Sequence, residues 1–156
     1  MANETEARNK ESLRVLPQDA MPNGRFDVIE QLVTKDAVTR RAGLANLFVA
    51  RGASIPEKGN FLQWVRAGWK PLLAALSDQK MTVEELVGDG DTVMMRFRMN
   101  VLHSGEFVGM PATGQRIEWE EIAVARFNAD GRIADLWFMC EELKMAQALG
   151  LELTAQ

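Results

Sequence analysis

Apolar residues recur along this chain at two different periods, and the change of period marks out the elements. From Phe61 to Leu76 the positions Phe61, Trp64, Val65, Trp69, Leu72, Leu73 and Leu76 fall at i, i+3, i+4, i+7 intervals, which predicts an amphipathic helix. Asn60 stands where an N-cap belongs, and Gln63 three residues later completes a capping box. Pro71 removes one helical hydrogen bond and is expected to bend this helix near Ala67. Arg25–Val33 repeats the helical spacing with Phe26, Ile29, Leu32 and Val33. Upstream, Ala2–Gln18 is charged, with leucines only at 13 and 16, so residues 1–23 are expected to form a helical or flexible extension ended by Pro17, Pro22 and Gly24.

Beyond residue 80 the period becomes two. Lys80–Val87 and Thr92–Leu102 read as strands joined across Gly88–Asp91. Val93, Met95, Phe97, Met99 and Val101 alternate with Thr92, Met94, Arg96, Arg98 and Asn100, giving one apolar and one mixed face. Ile117–Phe127 alternates in the same way, and Arg96 and Arg98 are expected to meet Glu118 and Glu120 on the mixed face. Asn128–Gly131 is a tight hairpin turn, Arg132–Cys140 the last strand and Glu142–Gly150 a short terminal helix. Asp36–Arg41 reads as a short strand and Gly43–Gly59 as an irregular loop. No repeat or second domain is visible, so the chain is expected to be one α+β domain over residues 24–156.

Phe127 and Ile133 flank the last turn and should both point inward. Carried along the last strand, that parity turns Asp135, Trp137, Met139 and Glu141 inward and leaves Leu136, Phe138 and Cys140 outside. The inward set then gathers His103, Trp119, Glu121, Trp137, Met139 and Glu141 around an apolar hollow, with Phe97 and Met99 deeper. Ala123 and Ala125 leave room, and Trp64 offers an indole N–H at the rim. A carboxyl facing such a hollow resists ionisation, and two carboxyls close together push one pKa higher still. A carboxyl so placed is a candidate general acid or base, and Glu141 is either that or a residue at the solvent edge of the last helix. His103 is expected either as a pocket donor or as a structural histidine. Asp135 is expected as an ion-pair partner for Arg132, beside the alternative of a pocket acid. The outward apolar trio is expected to be covered by a second copy of the chain, giving a homodimer through the outer face of the sheet.

Composition narrows the chemistry. A net charge of -4 argues against a nucleic-acid surface, and no apolar run approaches the roughly 20 residues that span a bilayer. Met1–Lys10 is polar and lacks an apolar signal core, so the expected compartment is the cytoplasm. The single cysteine, Cys140, cannot form an internal disulfide, and with one histidine a His/Cys zinc site is nearly excluded. Acid–base work falls to carboxylates, His103 or bound water. No metal or cofactor is expected, and the expected partner is an apolar or aromatic small molecule.

The turn between the two long strands carries the most specific signal. His103-Ser-Gly-Glu-Phe-Val-Gly-Met-Pro-Ala-Thr-Gly114, with Gly131-Arg132-Ile133 leading into Trp137 and Gln147-Ala148-Leu149-Gly150 at the end, resembles the signature of the SnoaL-like polyketide cyclase family. The likeness covers roughly residues 24–150 and implies a nuclear transport factor 2-like fold. That is a cone in which helices pack across a strongly curved antiparallel sheet around an internal pocket. In that family the residue four past the motif tryptophan is an aspartate acting as acid–base catalyst. Counting four from Trp137 gives Glu141, a glutamate longer by one methylene. The resemblance implies a cofactor-independent, aldol-type ring closure of a polyketide-like substrate. Two alternatives stand beside it: a non-catalytic ligand-binding or dimerisation module, and a hydratase, epoxide hydrolase or isomerase on the same scaffold. In a cone of this kind residues 52–59 are either a passive connector or a lid over the pocket mouth.

Overall fold

The computed structural model describes residues 2–40 and 44–155. The chain runs α1 (Ala2–Val15), a single π-helical turn (Leu16–Ala20), α2 (Phe26–Leu32), β1 (Val33–Thr39), α3 (Ala45–Ala50), β2 (Gly59–Asn60), α4 (Phe61–Ala75), β3 (Leu76–Asp89), β4 (Thr92–His103), β5 (Arg116–Phe127), β6 (Ile133–Cys140) and α5 (Glu142–Ala148). The six strands form one sheet in the order β2-β1-β6-β5-β4-β3, antiparallel throughout except where β1 lies parallel to β6. Arg41 and Gly43, expected to end the first strand and begin the loop after it, lie outside the described residues.

Alternation dictates which face of the sheet is buried. Val93, Met95, Phe97, Met99 and Val101 on β4 meet Ala125, Ala123, Glu121, Trp119 and Ile117 on β5, and every apolar member of this set is buried. α4 lies across this face, capped as expected by the Asn60 side chain accepting from the Gln63 N–H at 3.0 Å. The opposite face carries the expected charge ladder: Arg96 reaches Glu120 at 2.9 Å and Glu85 at 3.3 Å, and Arg98 pairs with Glu84. α1 is helical and does not stand apart. Leu13, Leu16 and Ala20 sit in the same core as the strands, so the chain before residue 24 is part of the domain's packing.

Besides a register shift between the parallel β1 and β6 at Val33–Val38, three more interrupt the antiparallel part of the sheet. Two lie on β3, at Asp78–Gln79 and at Glu84, and Asp78 takes φ +44°. The third overturns an expectation. Phe127 faces Ile133, but Arg126 faces Asp135, so Ala134 is an extra residue on β6. One inserted residue inverts every side chain beyond it. Ile133 and Leu136, three apart, are both 0% exposed, and Phe138 points into the interior. Asp135, Trp137, Met139 and Glu141 take the outer face instead. Asp135 pairs with Arg40 at 2.8 Å, not with Arg132. The expected outer trio of Leu136, Phe138 and Cys140 is turned toward the core and is not available to a second subunit.

Candidate functional site

Between α4 and the inner face of the sheet lies a cavity of about 700 Å³. Trp64, Val65, Gly68, Trp69 and Leu72 of α4 form one wall, at the helical spacing read from the sequence. Phe97 and Met99 of β4, Trp119 and Glu121 of β5 and Phe138 of β6 form the opposite wall. Leu44 just before α3 and Phe48 on it, Ser54, Ile55 and Pro56 of the loop that follows, and Phe107 and Val108 of the turn after β4 close the sides.

These closing segments are tied to one another. The rings of Phe48 and Phe107 meet edge to face at 5.5 Å. Arg51 donates from Nε to the Val108 carbonyl at 2.9 Å. The first turn of α3 donates from the Asn46 and Leu47 N–H groups to Glu142 Oε1, at 2.8 and 3.3 Å. Val108 sits at φ +48°, costly for a β-branched residue, and its carbonyl is the one Arg51 holds.

Glu121 is the acidic residue of the sheet wall. It stands opposite Phe97, and its Oε1 accepts from Trp119 Nε1 at 2.7 Å. Trp119 and Glu121 are two apart on one strand, so both point into the hollow. Desolvation in these apolar surroundings pushes the Glu121 carboxyl up to about 7; the Trp119 N–H lowers it in part, and the nearby Glu142 carboxylate raises it. It lines the cavity. Among the described lining residues there is no Lys, Arg or His.

Five of the residues picked from the sequence meet here: Trp64, Phe97, Met99, Trp119 and Glu121. Four do not. Trp137, Met139 and Glu141 are turned to the outer face by the extra residue at Ala134, and Met139 is 46% exposed. Glu141 has its side chain 46% exposed; its Oε2 accepts from the Glu120 N–H at 2.9 Å and from Lys144 Nζ at 3.4 Å. The hydrogen bond from Glu120 above all, and the Lys144 ammonium, hold its pKa below the ordinary carboxylate value, opposite to what a catalytic acid in an apolar pocket requires. His103 is 0% exposed but lies outside the cavity lining. Its Nδ1 bonds to the Thr113 hydroxyl at 3.0 Å and to the Thr113 N–H at 3.3 Å, and its backbone bonds to Gly114 and Gln115. It braces the base of the turn it begins.

Sequence reasoning missed Phe138, which the assumed parity placed outside, and Phe48 and Phe107, which lie in stretches without regular alternation. Arg96 and Arg98 lie outside the cavity and pair with carboxylates, which removes the arginine that an epoxide-hydrolase relay would place inside it. Among the described residues no group of three or more His, Cys, Asp and Glu converges as a metal site would require. No helix among them is long and apolar enough to cross a membrane.

A curved sheet with helices laid across it and an apolar pocket between them defines a nuclear transport factor 2-like α+β protein. Within that class the chain belongs to the SnoaL-like polyketide cyclase family, whose profile matches residues 13–149. Wild-type IdmH of Streptomyces antibioticus, a proposed polyketide cyclase, superposes with a TM-score of 0.75 at 25% identity, over 92% of this chain and 99% of its own. AclR of Streptomyces galilaeus, a proposed hydroxylase, gives a TM-score of 0.70 at 21% identity, over 100% and 87% of the two chains. A proposed SnoaL-like polyketide cyclase of Jannaschia sp. CCS1 gives 0.73 at 18%, over 94% of each. No curated protein sequence is significantly similar. Different activities are proposed for proteins that share this fold, so the site must carry the argument about the reaction.

Proposed function

We propose that this protein is an enzyme that catalyses a cofactor-independent, aldol-type ring closure of an apolar, polyketide-like substrate, with Glu121 as the acid–base group. Ionised, the Glu121 carboxylate takes the proton from a carbon α to a substrate carbonyl. The resulting enolate carbon attacks a second carbonyl carbon of the same molecule, forming the new C–C bond. The alkoxide left by that attack recovers the proton from the Glu121 carboxyl, so nothing external is consumed. Trp119 holds the carboxyl in place, and Trp64, Phe97, Met99 and Phe138 offer apolar surface to the substrate and exclude water. The observation that carries this reading is a carboxyl titrating at about 7 inside an apolar cavity, where both its protonation states are populated near neutrality.

The test uses aromatic polyketide-like ketones. Glu121→Gln should keep binding and lose turnover by at least about a hundredfold, in the range typical of general acid–base groups. Wild-type kcat/KM should rise with pH and level off above about 7, since the base acts ionised. Unchanged turnover in Glu121→Gln would refute the assignment.

One observation favours a second reading, a non-catalytic module that holds the same kind of ligand. The described lining residues supply no cationic group to meet an enolate oxygen. Binding without turnover in both wild type and Glu121→Gln would select that reading.

A further inference from the structure

At six residues, α3 is too short to persist as a helix by its own hydrogen bonds. Its first N–H groups need acceptors from outside the helix, and Leu44 at the N-cap position has no polar side chain to offer one. Glu142, at the start of α5, offers it instead: Oε1 accepts from the Asn46 N–H at 2.8 Å and from the Leu47 N–H at 3.3 Å. Just past the other end of α3, Arg51 donates to the Val108 carbonyl at 2.9 Å. Tertiary bonds thus pin the helix at both ends, and Leu44 and Phe48, between the pins, line the cavity. The sheet in turn places Glu142. Cys140 stands opposite Glu121 across β5 and β6. Glu141 then exchanges two bonds with Glu120, its N–H donating to the Glu120 carbonyl at 3.1 Å and its Oε2 accepting from the Glu120 N–H at 2.9 Å. Glu142 follows directly, so its side chain starts from the strand end beside Glu121 and reaches α3.

We propose that Glu142 is a positioning residue of the cavity site, holding α3 and its Phe48 wall in place while setting a second carboxylate beside Glu121. Its bearing on turnover rests on the acid–base assignment of Glu121; its hold on α3 does not. The two duties use different properties of one side chain. The hold on α3 needs an acceptor oxygen in the right place. The action on Glu121 needs charge: the Glu142 carboxylate opposes ionisation of its neighbour and adds to the effect of desolvation. Lys144, the cation of α5, bonds to Glu141 at 3.4 Å. An amide at position 142 separates the duties, since it keeps an acceptor oxygen and carries no charge. Alanine there removes both.

NMR of the full chain tests the proposal with Glu142→Gln and Glu142→Ala, reading the Glu121 carboxyl titration and hydrogen exchange at the Asn46 and Leu47 amides. In Glu142→Gln the Glu121 midpoint should fall below its wild-type value of about 7, because a like charge is gone, and the kcat/KM profile should move to lower pH with it. Glu142→Ala should lower the midpoint too and raise exchange at both amides at least about tenfold, the loss expected for a hydrogen bond to a charged acceptor. Exchange should rise less in Glu142→Gln, which keeps an acceptor. A Glu121 midpoint that does not move in Glu142→Gln overturns the proposal, as do Glu142→Ala amides that exchange no faster than those of Glu142→Gln. If Glu142→Ala does not fold, the midpoint in Glu142→Gln decides alone. A midpoint that moves while the rate profile stays put supports the placing of Glu142 and strikes instead the role of Glu121 in the reaction.

Discussion

Trp119 donates its indole N–H to Glu121 Oε1 at 2.7 Å, from two residues earlier on the same strand and on the same face. The bond stabilises the ionised carboxylate against the desolvation that raises its pKa. Trp119→Phe keeps most of the ring and removes the donor. A hydrogen bond to a charged group is worth about 1.5–3 kcal/mol, so the Glu121 midpoint should move clearly above about 7 in the variant. A carboxyl carbon NMR titration reads this directly. A midpoint that stays put would mean the indole contributes nothing.

Glu121 also links stability to pH. Its folded pKa, about 7, lies above the ordinary value of 4.5, so the folded state binds this proton more tightly than the unfolded state does. The associated stability is fully present below about 4.5 and is lost as pH rises through about 7. Glu121→Gln removes the ionisation. Urea unfolding should find it more stable than wild type at pH 8 by about 3 kcal/mol, with the gap closing below the unfolded pKa. A gap that is the same at both pH values contradicts this.

Glu141 behaves oppositely. Its lowered pKa gives stability that is present above the unfolded value and lost as pH falls through the folded one. Glu141→Gln should leave turnover and its pH profile unchanged and produce only a small loss of stability, since the group is solvated. A large loss of kcat in this variant would restore Glu141 as a catalytic residue.

The extra residue at Ala134 can be tested by truncation on either side of β6. Leu136→Ala should cost about 2–5 kcal/mol, as emptying a buried leucine site does, whereas Met139→Ala should cost under about 1 kcal/mol in the isolated chain. Equal costs, or the reverse order, would restore uninterrupted alternation through the strand.

His103→Ala removes the acceptor for the Thr113 N–H at a fully buried site. The melting temperature should fall by several degrees, corresponding to about 1–3 kcal/mol, while ligand affinity at the cavity stays at the wild-type value. A selective loss of affinity with unchanged melting would place the imidazole at the ligand.

Most of the architecture was legible because period and turn chemistry are local. Asn60 caps α4 where the Asn-x-x-Gln spacing placed it, and Phe97, Met99, Trp119 and Glu121 share a face because β4 and β5 pair without interruption. Alternation fixes such faces as long as no residue is inserted. Leu16 and Leu13 were visible as apolar positions, but their place in the core depends on α1 packing against the distant strands β3 and β4.

What the sequence by itself determined is the family, the α+β elements and the two inward strand faces, since these follow from motif, period and turn residues within short windows. What only the tertiary structure decided is which of the two candidate carboxylates, Glu121 or Glu141, meets the cavity. Glu141 and Glu121 look alike as letters, and a single bulge at Ala134, settled by pairing with β5 across the hairpin, turns one out to water and leaves the other inside. The environment that then separates their pKa values, burial for one and a backbone N–H with a lysine for the other, arises from residues brought together by folding.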